Sequence, residues 1–462
     1  MKTNIILTIL FFVFLDTLWA QNTLPILKTN KSKLSYRIGK EYQKDGWNIS
    51  PQLNPDILTI QISRKTNVSF VSEKDSLGFD ILPGNTFDFI VLQNDSIIAK
   101  TQIIAKKIIQ KANYPTSYKK LHDKNIYVEI PEVYELVNIL FALTSTGKAN
   151  NQIIEKSIPY YSTVLNHFEK YKNEKIVFII DSLISQRLIY HCELKLDAYS
   201  FEFNKQSKIV KSKIYNITSR ENSNTIEPYI PLLQEFANKT KFRQFYNENK
   251  SMYLDQIRFY KDSIDVGSMF KWLNLNFPNT ECNSIKIVFS PLVSGWQNSN
   301  TLQNNNFTEV FAHVNYPYYF SNNFSPLANL LIKGNAVFTE LNHNFLSSQY
   351  NKYDYSSRIN NAVHNLNNWI DTLKTARNYY NTRACFDEYM NWGLVSLWYI
   401  EKAPKAEREK LFENIEDFMT NQRGFTKFSA FNRFLIEIYQ NRKPNETISD
   451  LYPAIINWFG EN

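Results

Sequence analysis

The sequence predicts an α+β protein, in which an N-terminal antiparallel β-domain is followed by a larger, mostly helical domain. Between residues 34 and 105 the apolar side chains recur with the two-residue period of half-buried strands. After Pro115 the period changes to that of amphipathic helices. The chain has 462 residues, which is enough for two or three domains, and 43% of them are hydrophobic, which is enough to bury a sizeable core.

The predicted β-domain covers residues 21–112. Its turns fall at residues 54–56, 83–85 and 94–96, which carry the Pro, Gly, Asn and Asp residues that turns favour. The alternating apolar positions between them are Leu58, Ile60, Ile62, Val68, Phe70, Phe79, Ile81, Phe87, Phe89 and Val91. Short strands at this spacing predict a β-sandwich or barrel. The segment contains no His or Cys, so we expect it to serve packing or docking and not chemistry.

The predicted second domain covers residues 116–462. It begins with an apolar helix at residues 131–143, where Pro131 suits the first turn. Further helices are predicted at 162–171, 176–189, 228–260 (two helices), 381–400, 407–419 and 431–440, and strands at 285–289 and 310–320. The domain is therefore expected to be α+β with helices dominant.

The N-terminus has the features of a secretory signal peptide over residues 1–20. Lys2 precedes an apolar run at residues 5–15, and Ala20 provides a small residue for cleavage. The run is too short to span a membrane, and no later stretch is long and apolar enough to do so. We therefore expect a secreted or periplasmic protein with no transmembrane segment after cleavage.

Composition argues against several functional classes. Only 11 glycines occur, and there is neither a G-x-G-x-x-G nor a Walker-type motif, so a nucleotide-binding fold is not expected. The 52 basic and 44 acidic residues are dispersed without a dense basic stripe, which argues against nucleic acid as a partner. The three cysteines form no C-x-x-C, so their spacing predicts no cysteine zinc site.

The most informative stretch is residues 336–346, A-V-F-T-E-L-N-H-N-F-L. It has the layout of the zinc-peptidase helix H-E-x-x-H, with Thr339 in place of the first histidine. Positions 339 and 343 would share one helix face, and Glu340 would lie beside them. Glu340 is the candidate general base, and His343 is a candidate zinc ligand.

A second predicted helix carries C-F-D-E-Y-M-N-W, which places Asp387 and Glu388 within an apolar, aromatic run. With this segment the chain resembles a family of secreted bacterial proteins that have a gluzincin-like (zincin) metallopeptidase core. The resemblance implies Glu340 as base, with His343 and Glu388 as zinc ligands. It also draws on residues 132–143, 167–172 and 290–296, and so covers roughly residues 125–400.

Thr339 departs from the family pattern, since a threonine hydroxyl is a poor zinc ligand. A replacement ligand would have to come from elsewhere, and the candidates are His313, His364 and Asp387. The other interpretation is that Glu340, His343 and Glu388 form a buried polar cluster without metal.

Two functions are therefore expected as alternatives. The first is a secreted or periplasmic zinc-dependent hydrolase that acts on peptides or envelope polymers. The second is a catalytically inactive zincin-fold protein that serves as a binding or structural module of the cell envelope.

Overall fold

The computed structural model describes residues 24–51, 54–219, 223–350 and 355–462. Helix accounts for 49% of the chain and strand for 22%, with the sheets of the N-terminal region preceding a helical region, so the predicted α+β class is confirmed. The chain divides into two compact units after Ile109. The predicted signal peptide at residues 1–20 lies outside the described residues.

Eight strands form the first unit: β1 Ile26–Lys28, β2 Lys33–Ile38, β3 Glu41–Asn48, β4 Asp56–Ile62, β5 Thr66–Val71, β6 Ser76–Ile81, β7 Thr86–Gln93 and β8 Ser96–Lys107. They make two four-stranded sheets, in the orders β1-β7-β8-β4 and β3-β2-β5-β6. One core joins both sheets, with Trp47, Phe70 and Phe89 in ring contact. The unit is thus a sandwich, in which the pairs β1/β7 and β4/β8 are parallel and the others antiparallel.

The second unit contains the remaining strands: β9 Ile126–Glu129, β10 Phe201–Phe203, β11 Ile209–Lys211, β12 Ser284–Ser290, β13 Asn298–Asn304 and β14 Phe307–Asn315. Four of them form a sheet in the order β13-β14-β12-β9. Strands β9, β12 and β14 are parallel, while the edge strand β13 is antiparallel to β14.

Sixteen helices accompany these strands in the described residues. The first ten are α1 Thr116–His122, α2 Glu132–Leu143, α3 Ser145–Ala149, α4 Pro159–Phe168, α5 Lys175–Gln186, α6 Tyr190–Ala198, α7 Ile230–Lys239, α8 Phe242–Glu248, α9 Lys250–Arg258 and α10 Val266–Asn276. The last six are α11 Pro326–Tyr350, α12 Tyr355–Ala362, α13 Thr382–Lys402, α14 Arg408–Asp417, α15 Phe428–Gln440 and α16 Ile448–Glu461. Across the described chain, no helix is long and apolar enough to cross a membrane.

The two faces of the four-stranded sheet have different neighbours. Val310 and Ala312 of β14 belong to the main core together with Leu341 of α11, and Thr301 of β13 donates a hydrogen bond to Asn344 of α11 at 3.0 Å. We call this the front face. The alternate side chains, including Phe311, pack with tyrosines behind the sheet, and we call that side the rear face.

Candidate functional site

Helix α11 carries Thr339, Glu340 and His343, as the helical period predicts. Thr339 is 6% exposed and Glu340 8% exposed, whereas His343 is half-buried. The apolar residues Phe338, Leu341 and Phe345 are fully buried and hold this part of the helix in the main core. The three polar side chains are therefore presented from a rigid, buried helix.

The hydroxyl of Thr339 is engaged with its own helix. Its Oγ1 lies 3.0 Å from the carbonyl oxygen of Asn335 and 3.1 Å from that of Ala336. This is the backbone bond that a threonine within a helix commonly makes, and it directs the hydroxyl proton to the preceding turn. The Thr339 hydroxyl thus bonds to the backbone of α11 and does not take the place of the missing histidine as a ligand.

Glu340 has an isolated carboxyl group. Among the described residues, no hydrogen bond or ion pair reaches it. Burial and the nearby negative charge of Glu388 raise its pKa, Arg423 opposes both effects, and the net result is a pKa of about 8. At neutral pH this carboxyl is therefore mostly protonated, which is the form that an unpaired buried acid adopts.

His343 lies against the second helix of the site, α13. Its Nε2 is 3.3 Å from the side-chain nitrogen of Asn391, whose amide donates to the neutral ring. Burial lowers the pKa of His343, the charge of Glu388 raises it, and Arg423 lowers it again. The helices α11 and α13 thus bring Glu340, His343 and Glu388 into one electrostatically coupled region.

Glu388 is 3% exposed and is held by two donors. Its Oε1 accepts from the guanidinium Nη1 of Arg423 at 2.5 Å and from the indole Nε1 of Trp392 at 3.0 Å. The first of these is a charge-assisted hydrogen bond, the stronger class of such bonds. The carboxylate that the family resemblance assigns to zinc is therefore bound by a permanent cation of the chain itself.

Arg423 is the residue that sequence reasoning missed. Its guanidinium carbon lies 5.1–5.8 Å from four ring centroids, those of Tyr379, Trp392, Phe418 and Phe425. Cation–π contacts of this kind strengthen when the cation is shielded from water, and only 14% of this side chain is exposed. Arg423 lies 35 residues beyond Glu388, and no spacing rule connects the two.

The local backbone fixes the direction of Arg423. The residue ends a π-helical turn, Phe418–Arg423, that follows α14. Gly424 then adopts φ +94°, and a Cβ there would lie 2.8 Å from Cβ of Lys374, so glycine is required on both grounds. The amide of Asp371 donates to the Gly424 carbonyl at 2.8 Å, which holds this turn in place.

The three proposed replacement ligands do not join the site. Asp387 forms an ion pair with Arg383 at 3.4 Å, and burial raises its pKa to about 6. His364 is exposed, with Nδ1 2.7 Å from the carbonyl oxygen of Asn361. His313 pairs with Asn298 and contacts Tyr134 and Tyr199 on the rear face of the sheet, away from α11.

The donor set does not fit a zinc ion. Thr339 bonds its own helix, and Glu388 is paired with Arg423. Within the described ranges, no three His, Cys, Asp or Glu side chains gather closely enough to bind a metal. A zinc ion would have His343 and a carboxyl group but would also face the guanidinium of Arg423.

The buried position of His313 gives a testable pH dependence. Burial and the charge of Lys195 lower the pKa of His313 from 6.5 to about 3, so the folded protein holds the ring neutral. The unfolded chain binds the proton below about pH 6.5, and stability is therefore lost as the pH falls. Between pH 7 and pH 5, wild type should lose about 2 kcal/mol more free energy of unfolding than His313→Gln. Urea denaturation at both pH values measures this difference. Equal losses of free energy of unfolding in wild type and His313→Gln would contradict the prediction.

Comparisons with protein-family models, with curated proteins and with solved structures gave no match for this chain. The gluzincin resemblance therefore stays a prediction that rests on the residues quoted above.

Proposed function

We propose that this chain is a metal-independent binding module of the cell envelope, built on a metallopeptidase-like core. The observation that carries the proposal is the ion pair between Glu388 and Arg423. In a zinc enzyme of the resembled type this carboxylate would face the metal, whereas here it faces a guanidinium at 2.5 Å. Arginine stays protonated at every physiological pH, so the pair does not open by titration.

Displacing this pair by zinc would be costly. The guanidinium would lose its carboxylate while remaining among four aromatic rings, and a buried cation without its partner is strongly unfavourable. Thr339 offers no compensating ligand, because its hydroxyl is bonded to the carbonyl oxygens of its own helix. Thr339 in place of histidine and the guanidinium of Arg423 thus both disfavour zinc binding.

The edge strand β13 supports a role in binding extended peptide segments. It ends the sheet order, so one row of its backbone groups has no neighbouring strand in the described structure. A peptide that adds to such an edge gains main-chain hydrogen bonds, which is a common recognition mode. Because Thr301 of this strand is bonded to Asn344 of α11, a bound peptide would lie beside the T-E-x-x-H helix. The natural partner would then be an extracellular peptide or a peptide-containing envelope polymer.

Metal analysis of the purified mature chain tests the proposal. We expect zinc far below one ion per chain, and no peptidase activity with added zinc. The double variant Thr339→His/Arg423→Gln should bind zinc at least ~10-fold more tightly than wild type, because it restores a ligand and removes the competing cation. Thr339→Ala/Arg423→Gln is the matched control, since it removes the cation without supplying a ligand. Stoichiometric zinc in wild type, together with a hydrolysis that Glu340→Gln abolishes, would establish the hydrolase alternative instead.

Peptide binding is tested in the same preparation by fluorescence polarisation with labelled Thr- and Val-rich peptides. Ser299→Pro removes an edge N–H of β13 and should abolish binding, while Ser299→Ala should keep it. Equal binding by both variants would show that β13 is not the docking edge.

A further inference from the structure

A second polar cluster lies on the rear face of the sheet, opposite α11. We call it the rear cluster, and its members are Tyr134 of α2, His191, Cys192 and Lys195 of α6, Asn298 of β13 and His313 of β14. The rings of Tyr134 and His313 are 5.8 Å apart between centroids, and His313 pairs with Asn298 across the strands. Cys192 Sγ lies 3.5 Å from His191 Nε2 and 3.6 Å from the carbonyl oxygen of Trp296, just before β13.

Three side chains of the rear cluster, those of Tyr134, Asn298 and His313, have buried polar atoms without a hydrogen bond in the part of the chain that the structure describes. His313 is 2% exposed, and neither ring nitrogen has a hydrogen bond. Tyr134 is fully buried, and its hydroxyl also lacks a hydrogen bond. Lys195 is 2% exposed and forms no ion pair within the described residues. Buried polar groups nearly always have partners, so three together indicate a bound species that supplies them.

Two other buried charged groups on the same face have partners. The carboxylate of Glu309 accepts hydrogen bonds from Tyr114 at 3.2 Å, Tyr118 at 2.9 Å and Tyr215 at 2.7 Å. Lys286 is paired with Glu129 at 3.5 Å. Glu309 and Lys286 thus have partners on this face, whereas within the described residues Lys195 has no ion pair and the Tyr134 hydroxyl has no hydrogen bond.

The chemistry of the rear cluster selects the charge of a ligand. Lys195, the Tyr134 hydroxyl and one N–H of His313 are all donors. Burial lowers the pKa of His191 to about 4 and that of His313 to about 3, and it raises the pKa of the Cys192 thiol, so these three groups are neutral. Burial also lowers the pKa of Lys195, and a bound anion would hold this lysine in its charged form. A metal cation is disfavoured next to the ammonium group, whereas an oxyanion would satisfy each donor.

We propose that the rear cluster is a binding site for a small oxyanion, held by Lys195, Tyr134 and His313. The shared chemistry is that of a carboxylate or a phosphate group. The proposal is independent of the proposed function, because it rests on Lys195, Tyr134 and His313 and not on Glu388, Arg423 or the free edge of β13. It gives this domain a ligand that its T-E-x-x-H helix does not predict.

Isothermal titration of the mature chain with sodium acetate and with sodium phosphate, at constant ionic strength, tests the proposal. We expect saturable binding of at least one of the two anions. At saturating anion the melting temperature should rise by a few degrees or more, because a ligand that binds only the folded state stabilises it. Sodium chloride should produce neither effect. Binding of acetate alone identifies a carboxylate site, and binding of phosphate alone identifies a phosphate site.

Single substitutions link the binding to the named residues. Lys195→Met should abolish binding, and Tyr134→Phe should weaken it by about 10-fold, since it removes one hydrogen bond to a charged group. Tyr118→Phe is the matched control, because this tyrosine lies on the same face but donates to Glu309, and its anion affinity should equal that of wild type.

The proposal is overturned if wild type binds neither anion, if chloride gives the same rise in melting temperature, or if Tyr134→Phe binds as tightly as wild type. A Tyr134→Phe protein that is more stable than wild type without any anion, and unaffected by anions, would show a purely structural tyrosine. Should Lys195→Met fail to fold, the Tyr134→Phe and Tyr118→Phe affinities still decide between these outcomes.

Discussion

Replacing Arg423 with methionine is expected to lower the free energy of unfolding by about 3–5 kcal/mol, the usual effect of removing one partner of a buried ion pair. The side chains of Arg423 and Glu388 are 14% and 4% exposed, so water cannot screen the carboxylate that remains. Methionine keeps much of the contact with Tyr379, Trp392, Phe418 and Phe425, which limits the loss of packing. Urea denaturation measures the difference.

Two comparisons separate charge from packing in this experiment. Glu388→Gln/Arg423→Met removes both charges, and it should recover part of the stability lost in the single variant. Arg258→Met breaks an ion pair whose two side chains are 69% and 59% exposed, and it should change stability by less than about 0.5 kcal/mol. A loss below about 1 kcal/mol in Arg423→Met would mean that the pair is not important for the fold.

Glu309→Met is expected to destabilise the second unit by roughly 3 kcal/mol or more. Glu309 is fully buried and accepts from the hydroxyls of Tyr114, Tyr118 and Tyr215. Methionine has a similar length but no comparable acceptor, so buried hydroxyls are left without partners. The contact between the Tyr118 and Tyr215 hydroxyls at 2.5 Å retains one bond, which keeps the loss below the sum for three independent groups.

The matched control is Glu309→Gln, which keeps one oxygen acceptor at the same place. We expect it to lose about 1 kcal/mol, clearly less than Glu309→Met. Both values follow from thermal or urea unfolding monitored by tyrosine and tryptophan fluorescence. Equal losses in the two variants would show that volume, and not hydrogen bonding, governs this position.

The sequence predicted those parts of the fold that local periodicity determines. Strand β12 and the helices α2, α13 and α15 are present close to the predicted positions, whereas the strand predicted at 310–320 is β14 Phe307–Asn315 and ends before Pro317. Strand β13 was missed because its sequence, N-S-N-T-L-Q-N, is polar and shows no apolar alternation. Helix α16, which contains Pro453 and starts with a capping box of Thr447 and Asp450, was not predicted.

Local apolar periodicity did not predict which distant strands pair with each other. An antiparallel first domain was expected, but β1/β7 and β4/β8 are parallel, because β1 and β4 pair with strands that are remote in sequence. Nothing in a two-residue period specifies which strand becomes a neighbour, or in which direction it runs.

In the candidate site, too, local spacing predicted the positions of residues on their helices but not their tertiary partners. The placement of Thr339, Glu340 and His343 on one helix followed from spacing, and so did the position of Glu388 on a second buried helix. The partner of Glu388 did not, since Arg423 is brought to it by a π-helical turn and a glycine with positive φ. Tertiary contacts of this kind decide whether a carboxylate is a metal ligand or half of an ion pair.

The π-helical turn at Phe418–Arg423 makes the ion pair depend on chain length as well as on residue type. Successive residues of an α-helix are rotated by about 100°, so loss of one residue here would turn the guanidinium away from Glu388 without altering any side chain of the site. In a relative of this chain, a single deletion in this turn would therefore leave the Glu388 carboxylate without its arginine, although the turn is far in sequence from the T-E-x-x-H helix. In this protein the length of the turn Phe418–Arg423 therefore determines whether Glu388 is paired with a guanidinium.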